Sequence, residues 1–345
     1  MPQTDKRILA LYTGGTFGMV SDGDDDALAP REFSEIQRYL PEIDRLPCRI
    51  EYKSLHEPID SSNIRVDDWE RMAEAIGEYH DEYDGFVILH GTDTMAFSAA
   101  ALSFMLENLA KPVILTGAVL PIDNIRSDAR ENFVLALEIA TRYAEELNEV
   151  CVCFDSRIYR GNRTIKYSSQ KFQAFVSPNY PALAESAFTV EYNRLNWLPA
   201  PVDDFRVQSE LNHHVALLKF YPGLLKEQLE LTLSIPNLRA IVLESFGNGN
   251  LPNFPWLMDL LEDAVSRGVI VTNVTQCTAG KADQGKYSVS RGLVEIGVLS
   301  GRDMTTAAAL TKLMYLCGRY GDDIKLIRQL MTRNLRGEMD GPLYN

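Results

Sequence analysis

Three observations predict an α/β fold in which the sheets are mainly parallel. Short runs of aliphatic and β-branched residues alternate with longer amphipathic segments along the chain. The alternation stops at a segment interrupted by prolines and charges, and then begins again. The 345 residues, 46% of them hydrophobic, are enough for two domains that each bury a core. We therefore expect a larger N-terminal domain at residues 1–191, a linker at 192–212 and a smaller α/β C-terminal domain at 213–345.

The spacing of apolar residues predicts the elements of the first domain. Five short apolar runs are typical of buried strands, at residues 7–12, 48–55, 85–90, 112–117 and 150–154. Helices are predicted between them, at residues 66–80, 95–108 and 125–143. Ligands of such sheets bind outside the carboxyl ends of the strands, so the loops that follow the strands are expected to carry the chemistry.

The second domain repeats this alternation. Strands are predicted at residues 215–220, 240–245 and 269–275, with one helix between the first two strands. Further helices are predicted at residues 256–268, 305–320 and 324–335, the last two closing the domain.

The composition argues against several classes of partner. A formal net charge of −14 repels a polyanion, so a nucleic-acid partner is not expected. No apolar run approaches the roughly 20 residues of a membrane span. The first apolar segment ends at Gly14, which indicates a strand and not a signal peptide. Five irregularly spaced cysteines predict reduced thiols in a cytoplasmic protein, and no cysteine–histidine cluster has the spacing of a zinc site.

Two loops that follow predicted strands share a pattern of glycine and threonine. They are TGGTFG at residues 13–18 and HGTDT at residues 90–94. A threonine nucleophile needs a nearby base and donors for the developing oxyanion, and adjacent glycines let backbone N–H groups face a substrate. Asp93 is a candidate to bind a substrate ammonium or to orient a lysine. Lys166 is a candidate base in the same cleft.

Two further strand ends are rich in polar groups. HEPIDSSN at residues 56–63 and TGAVLP at residues 116–121 each follow a predicted strand. Four such loops provide the hydroxyls and backbone amides that a small polar substrate requires.

Each motif also has an alternative interpretation. A glycine-rich turn after a first strand is also typical of a phosphate site, although neither the dinucleotide fingerprint nor the P-loop pattern is present. His90 is interpreted as a packed core residue, and Lys166 alone resembles a surface lysine. Ser61 and Ser62 are also suited to capping a helix. The acidic run at residues 21–30 is either a solvated loop or a lid.

Five segments together resemble the cytoplasmic, type I bacterial L-asparaginases. They occur in the family's order along nearly the whole chain: YTGGTFGM, DSSN, HGTDTMAFSAAALSFMLENL, RGNRTIK and NVTQCTAGK. The resemblance implies hydrolysis of L-asparagine to L-aspartate and ammonia by a two-domain α/β enzyme without metal or cofactor. It also implies a homotetramer built as a dimer of dimers.

The resemblance further implies a role for each matching residue. Thr16 is the nucleophile that forms an acyl-enzyme. Thr92, Asp93 and Lys166 form a second triad that activates the nucleophile or water. The residues that bind the α-carboxylate and amino group of the substrate are Asp60, Ser61, Ser62, Thr92 and Asp93. Asn250 is expected to reach the site of a partner subunit.

The chain departs from the family at two places. The family usually has a tyrosine in the loop after the nucleophile, where this chain has Ala27 or Leu28. A catalytically weak amino-acid-binding or regulatory protein on the same fold is therefore the alternative function. Some type I members also have an allosteric asparagine pocket, whose basic residue and threonine correspond here to Glu244 and Ile165, while its cysteine is kept as Cys277.

Overall fold

The computed structural model describes residues 5–21, 28–30, 37–284 and 288–344. The chain divides into two compact units, Met1–Ser209 and Glu210–Asn345, and each unit has a sheet of its own. The α/β fold class with mainly parallel sheets is confirmed.

Strands and helices alternate through the first unit. In chain order its strands are β1 (Arg7–Gly14), β2 (Met19–Ser21), β3 (Leu28–Pro30), β4 (Arg49–Ile59), β5 (Gly85–Leu89), β6 (Leu106–Glu107), β7 (Val113–Thr116), β8 (Val150–Phe154), β9 (Arg157–Arg160), β10 (Ile165–Lys166), β11 (Phe175–Val176), β12 (Ala184–Ser186), β13 (Val190–Tyr192) and β14 (Arg206–Val207). Its α-helices are α1 (Val66–Tyr79), α2 (Met95–Met105) and α3 (Ala129–Arg142).

The order of the strands indicates where a ligand would bind. Within the described residues the main sheet has the order β13–β12–β9–β8–β7–β5–β1–β4. Strands β4, β1, β5, β7 and β8 are parallel. Counted along the chain, these five strands have the doubly wound order 2-1-3-4-5, so the winding direction reverses between β1 and β5. Open sheets of this kind bind ligands at that reversal, beyond the carboxyl ends of the two strands.

Helix α2 lies almost completely inside the unit. Ten of its residues are buried, among them Ser98 and Ser103. The helix can be buried because small or apolar residues lie on every face. The hydroxyl of Ser103 donates to the carbonyl of Ala99 and so needs no water. The helix is therefore a fixed support for the HGTDT loop that precedes it.

All five predicted strands of the first unit are present, but two helix boundaries differ from the prediction. Helix α3 begins at Ala129 and not near residue 125, because Asn124 accepts from the backbone N–H of Arg126 in a turn. Helix α2 ends at Met105, because Leu106–Glu107 instead pairs with Arg206–Val207.

The sequence analysis missed strand β9. Asp155 and Ser156 have φ values of 50° and 61°, which turns the chain directly from β8 into β9. An Asp-Ser pair lacks the glycine that usually marks such a hairpin. The hairpin leads to the loop that carries Lys166.

Much of the segment predicted as a linker is bonded to the first unit. The indole of Trp197 donates to the carbonyl of Leu183, and the backbone of Leu198 donates to Glu149. Glu149 also accepts from Arg160 in a buried ion pair whose side chains are 2% and 4% exposed. Leu183 and Trp197 belong to the same apolar cluster as strand β1.

The second unit contains a four-stranded parallel sheet. Its strands, in both chain order and sheet order, are β15 (Val215–Lys219), β16 (Ala240–Ser245), β17 (Ile270–Thr275) and β18 (Leu299–Ser300). Its helices are α4 (Lys226–Leu233), α5 (Pro255–Ser266), α6 (Ser288–Glu295), α7 (Thr306–Tyr320) and α8 (Ile324–Met331). Proline at the first position of α5 and the Thr305 hydroxyl before α7 are typical helix starts.

A buried ion pair joins α7 to the C-terminal segment. The ammonium of Lys312 donates to the carboxylate of Glu338, and both side chains are 0% exposed. Glu338 also accepts from the backbone N–H groups of Leu335 and Arg336. Burial raises the pKa of Glu338, but the charge of Lys312 and these donors outweigh it and hold the pKa below its ordinary value.

None of the helices in the described part of the chain combines the length and the hydrophobicity needed to cross a bilayer.

Candidate active site

The two threonine loops meet where the winding of the sheet reverses. Gly15 follows β1 with φ of 84°, and Gly91 follows β5. A Cβ atom on Gly15 would lie 2.3 Å from the Cα of Gly91, so the two backbones are in direct contact. Thr16 and Thr92 are the next residues of the two loops. Thr16 begins a short 3-10 turn and is partly exposed, whereas Thr92 is 8% exposed.

The end of β4 brings a third loop, which begins at Asp60, to the same place. The backbone N–H of Gly15 donates to the carbonyl of Ile59 over 3.0 Å. A Cβ atom on Gly14 would lie 2.2 Å from that carbonyl oxygen, which leaves room for glycine alone. Asp60 and Ser61 follow Ile59 directly, so this third loop lies beside the TGGTFG loop.

Ser61 joins the third loop to the second. Its hydroxyl accepts from the backbone N–H of Asp93 at 3.2 Å, and its carbonyl accepts from the hydroxyl of Thr94 at 2.8 Å. A Cβ atom on Gly91 would lie 2.6 Å from the Ser61 hydroxyl. Ser61 is buried, whereas Asp60 and Ser62 are exposed. The carboxylate of Asp60 accepts from the backbone N–H of Ser62 at 2.8 Å, which fixes the turn.

Lys166 lies against the HGTDT loop. Its ammonium donates to the hydroxyl of Thr92 at 2.9 Å and to the carboxylate of Asp93. The backbone of Lys166 pairs with Phe175 in the β10–β11 ladder, which directs the side chain. The Lys166 side chain is 20% exposed and that of Asp93 is 60% exposed, so the group borders solvent.

His90 is the packed core residue that its position suggested. It is 0% exposed, and its Nδ1 lies 2.6 Å from the carbonyl of Gly91. A carbonyl only accepts, so Nδ1 carries the proton and Nε2 accepts from the hydroxyl of Ser98 at 2.9 Å. That hydroxyl accepts in turn from the indole of Trp69 at 2.8 Å. These bonds fix the peptide between Gly91 and Thr92.

A fourth loop, residues 117–121, packs on the HGTDT loop and adjoins the TGGTFG loop. A Cβ atom on Gly117 would lie 2.3 Å from the carbonyl oxygen of His90. Just beyond this loop, the backbone N–H of Ile122 donates to the carbonyl of Phe17 at 3.3 Å. The segment therefore spans from the residue after Thr16 to the strand end before Thr92.

The remaining predicted residues lie elsewhere. Asn250 belongs to the second unit, where its side-chain oxygen is buried and has no hydrogen-bond partner among the described residues. Ala27 and most of the acidic run lie outside the described residues. Leu28 begins β3, which pairs with β2.

The residues matched to an allosteric pocket have other contacts. Glu244 accepts from the hydroxyl of Thr306 at 2.5 Å and lies 3.7 Å from the ammonium of Lys219. Ile165 is in β10, and Cys277 is exposed.

The sequence analysis did not identify Asp128 and Asn132, which hold the fourth loop from helix α3. Their spacing of four residues puts them on one helix face, but nothing in the sequence tells which loop that face meets. Across the described ranges no group of three or more His, Cys, Asp or Glu side chains is arranged to hold a metal ion.

Two family models together match most of the chain. One, described as Asparaginase, N-terminal, matches residues 7–198, and the other, Glutaminase/Asparaginase C-terminal domain, matches residues 214–331. L-asparaginase 1 of Escherichia coli (strain K12) is 41% identical over 343 residues, which cover 97% of this chain and 98% of that protein.

Two further comparisons cover nearly all of this chain. The crystal structure of L-asparaginase I from Vibrio cholerae is similar with a TM-score of 0.88 and 40% identity, covering 98% of this chain and 100% of that one. The 60 kDa lysophospholipase of Mus musculus is 39% identical over 362 residues, which cover 98% of this chain but 63% of that protein.

Proposed function

Because this chain belongs to the asparaginase family, we infer that it is an L-asparagine amidohydrolase that forms L-aspartate and ammonia. The observation that carries the inference is the contact of Gly15 with Gly91, which brings two threonine loops together where the sheet reverses. The lysophospholipase relative is much longer than this chain, so the asparaginase relatives of equal length are the better guide to the substrate.

We propose that Thr16 is the nucleophile. Its oxygen attacks the side-chain amide carbon of asparagine, the C–N bond then breaks, and the hydroxyl proton leaves with the ammonia. Water next attacks the resulting ester, which releases aspartate, and a proton from that water restores the hydroxyl of Thr16. Both steps form an oxyanion, and backbone N–H groups in the glycine-rich loops are suited to stabilise it.

The proposed proton carriers are Thr92, Lys166 and Asp93. The hydrogen bond of 2.9 Å between Lys166 and Thr92 supports this role, because a proton can pass directly between hydroxyl and amine. Asp93 accepts from the same ammonium and keeps it beside Thr92.

The two charged groups of the substrate, its α-carboxylate and its α-ammonium, also require partners. We propose that Ser61, Ser62 and the N–H groups of their turn bind the α-carboxylate, while Asp60 and Asp93 bind the α-ammonium. The bond between the Ser61 hydroxyl and the Asp93 backbone supports the pairing of these loops. A zwitterion needs donors and carboxylates side by side, as they are here.

Replacing Thr16 tests the nucleophile. Ammonia release from asparagine, glutamine and D-asparagine is measured for the parent, Thr16→Ala and Thr16→Ser, with Thr232→Ala, at a half-buried position of the second unit, as the control. We expect L-asparagine to be turned over, Thr16→Ala to lose at least about 10²-fold, and Thr16→Ser to keep measurable turnover. Binding of asparagine without turnover by the parent would support the alternative, an amino-acid-binding protein.

We also propose that the enzyme is a homotetramer built as a dimer of dimers, with Asn250 completing the partner's site. Asn250 is half-buried in its own chain, so part of the residue is open to a partner subunit. Mixing Thr16→Ala with Asn250→Ala subunits should restore part of the activity that each variant lacks. Light scattering gives the mass of the assembly.

We propose a cytoplasmic location, which the five free cysteines support. Fractionation of cells into periplasm and cytoplasm, followed by activity measurement, tests it.

A further inference from the structure

The loop at residues 117–121 is held from behind by one carboxylate. Both oxygens of Asp128 lie 3.0 Å from the backbone nitrogen of Val119, and one of them also accepts from the backbone N–H of Leu120 at 3.1 Å. The hydroxyl of the neighbouring Ser127 donates to the carbonyl of Leu120 at 2.9 Å. Two successive peptides of the loop are therefore bonded to the start of helix α3.

Asn132 completes the brace one helical turn later. Its amide nitrogen donates to the carbonyl of Gly117 and to Asp128, both at 3.0 Å. Its amide oxygen accepts from the backbone N–H of Asp155 at 3.1 Å, so the amide has one orientation only. Asn132 is 2% exposed, which strengthens these bonds because water does not compete.

The braced loop is in contact with both threonine loops. Gly117 packs against the carbonyl of His90, and Ile122 donates to the carbonyl of Phe17. Phe17 directly follows Thr16, and His90 lies two residues before Thr92. A shift of the loop therefore displaces the two proposed catalytic threonines relative to each other.

We propose that Asp128, oriented by Asn132, is a positioning residue for catalysis, which sets the loop between Thr16 and Thr92 without touching the substrate. The inference rests on the proposed function of those threonines. Asp128 acts only through the backbone of Val119 and Leu120.

Burial works against the charge of Asp128. It raises the pKa of the Asp128 carboxyl above its ordinary value, and the backbone donors offset this only in part. A carboxyl whose folded pKa is raised loses stability as the pH rises through that pKa, so ionisation of Asp128 lowers the stability of the fold.

The test compares Asp128→Asn with Asp123→Asn, the same change at an exposed residue of the adjoining turn. An asparagine at 128 would turn an NH₂ group toward Val119 or toward the Asn132 amide, and Asn132 cannot reverse because it accepts from Asp155. We expect kcat to fall about 10- to 100-fold, as for a displacement of reacting groups by about 1 Å. KM should stay within a few-fold, and the thermal midpoint should fall, because the N–H groups that face the new NH₂ group lose their acceptor.

Hydrogen exchange provides a readout that is independent of turnover. The amide hydrogens of Val119 and Leu120 should exchange faster in Asp128→Asn than in the parent. Their exchange rates should be unchanged in Asp123→Asn. Equal kcat in both variants, or a rise in KM alone, would overturn the proposal.

If Asp128→Asn does not fold, Ser127→Ala decides, because it removes the bond to Leu120, together with the bond from the backbone N–H of Ala129, and keeps the carboxylate. A smaller loss of kcat with faster exchange in the loop supports the proposal, and parental values for both overturn it. A parent without asparaginase activity would refute the proposed function instead, and the exchange data would then test the brace by themselves.

Discussion

Lys166 donates a hydrogen bond of 2.9 Å to the hydroxyl of Thr92, 74 positions earlier in the chain. The bond exists because β10 ends beside the loop that follows β5. It joins a lysine that also donates to Asp93 to a threonine at the reversal of the sheet.

Lys166→Met should therefore abolish most of the turnover while the fold is kept. Removing the proposed proton carrier should cost roughly 10²- to 10⁴-fold, and methionine retains much of the side-chain volume. The exposed Lys171→Met serves as the matched control. Ammonia release and thermal unfolding are measured for both variants, and a Lys166→Met enzyme within a few-fold of the parent would remove Lys166 from the mechanism.

Gly15→Ala should disrupt the site, and Gly223→Ala should not. Both glycines have positive φ, 84° and 95°, but a Cβ atom on Gly15 would lie 2.3 Å from Gly91 and one on Gly223 would meet nothing within 4 Å. The backbone strain of about 1–3 kcal/mol is common to both. Loss of activity in Gly15→Ala alone would separate the steric effect from the strain. Equal kcat values would show that the loops can move apart without loss.

Asparagine should not activate this enzyme from a second site. An effector pocket must pair the α-carboxylate of asparagine with a cation, and Glu244 brings a charge of the same sign. The cation beside Glu244 is Lys219, whose ammonium lies 3.7 Å from that carboxylate and is already paired with it. Initial rates should follow a hyperbola with a Hill coefficient of about 1, as for uncoupled sites. A sigmoidal curve that Cys277→Ala makes hyperbolic would contradict this.

Glu338→Gln should destabilise the second unit by about 3–5 kcal/mol, because it leaves the ammonium of Lys312 buried without its counter-ion. Lys312→Met together with Glu338→Gln should recover part of the loss. Urea unfolding of the three proteins at neutral pH measures the effect. An unchanged midpoint in Glu338→Gln would show that Lys312 sheds its proton at little cost.

The same pair predicts a loss of stability in acid. The pKa of Glu338 in the fold is below its ordinary value of 4.5, so the carboxylate stabilises the fold above that pH. This contribution is lost as the pH falls through the lowered pKa. Unfolding midpoints measured from pH 7 down to pH 3 should show a steeper decline for the parent than for the double variant.

The sequence predicted most of the longer buried strands, and the loops that follow them, because both depend on local pattern. The apolar run at residues 85–90 predicts a strand without any other information. The glycines beside Thr16 and Thr92 indicate two loops that each approach another backbone. Asp128 has no such local signal. Its function depends on which loop helix α3 faces, and only the three-dimensional packing determines that.

Strand β9 shows a second kind of limit. Asp155 and Ser156 adopt positive φ without glycine because the flanking strands already hold them in a hairpin. The tertiary structure overrides the local preference there. Lys166 was a candidate in the sequence, but its distance from Thr92 depends on this hairpin and on the β10–β11 ladder.

The glycine contact between the first two loops also has a thermodynamic consequence. With no side chain between Gly15 and Gly91, neither backbone can fluctuate far without the other. A ligand held by Ser61 and Asp93 would therefore also restrict the residues around Thr16, and the entropic cost of ordering both loops would be met in a single binding event. Half of the substrate, such as a free α-amino acid without the amide, should then slow hydrogen exchange around Thr16 as well as around Ser61 and Asp93.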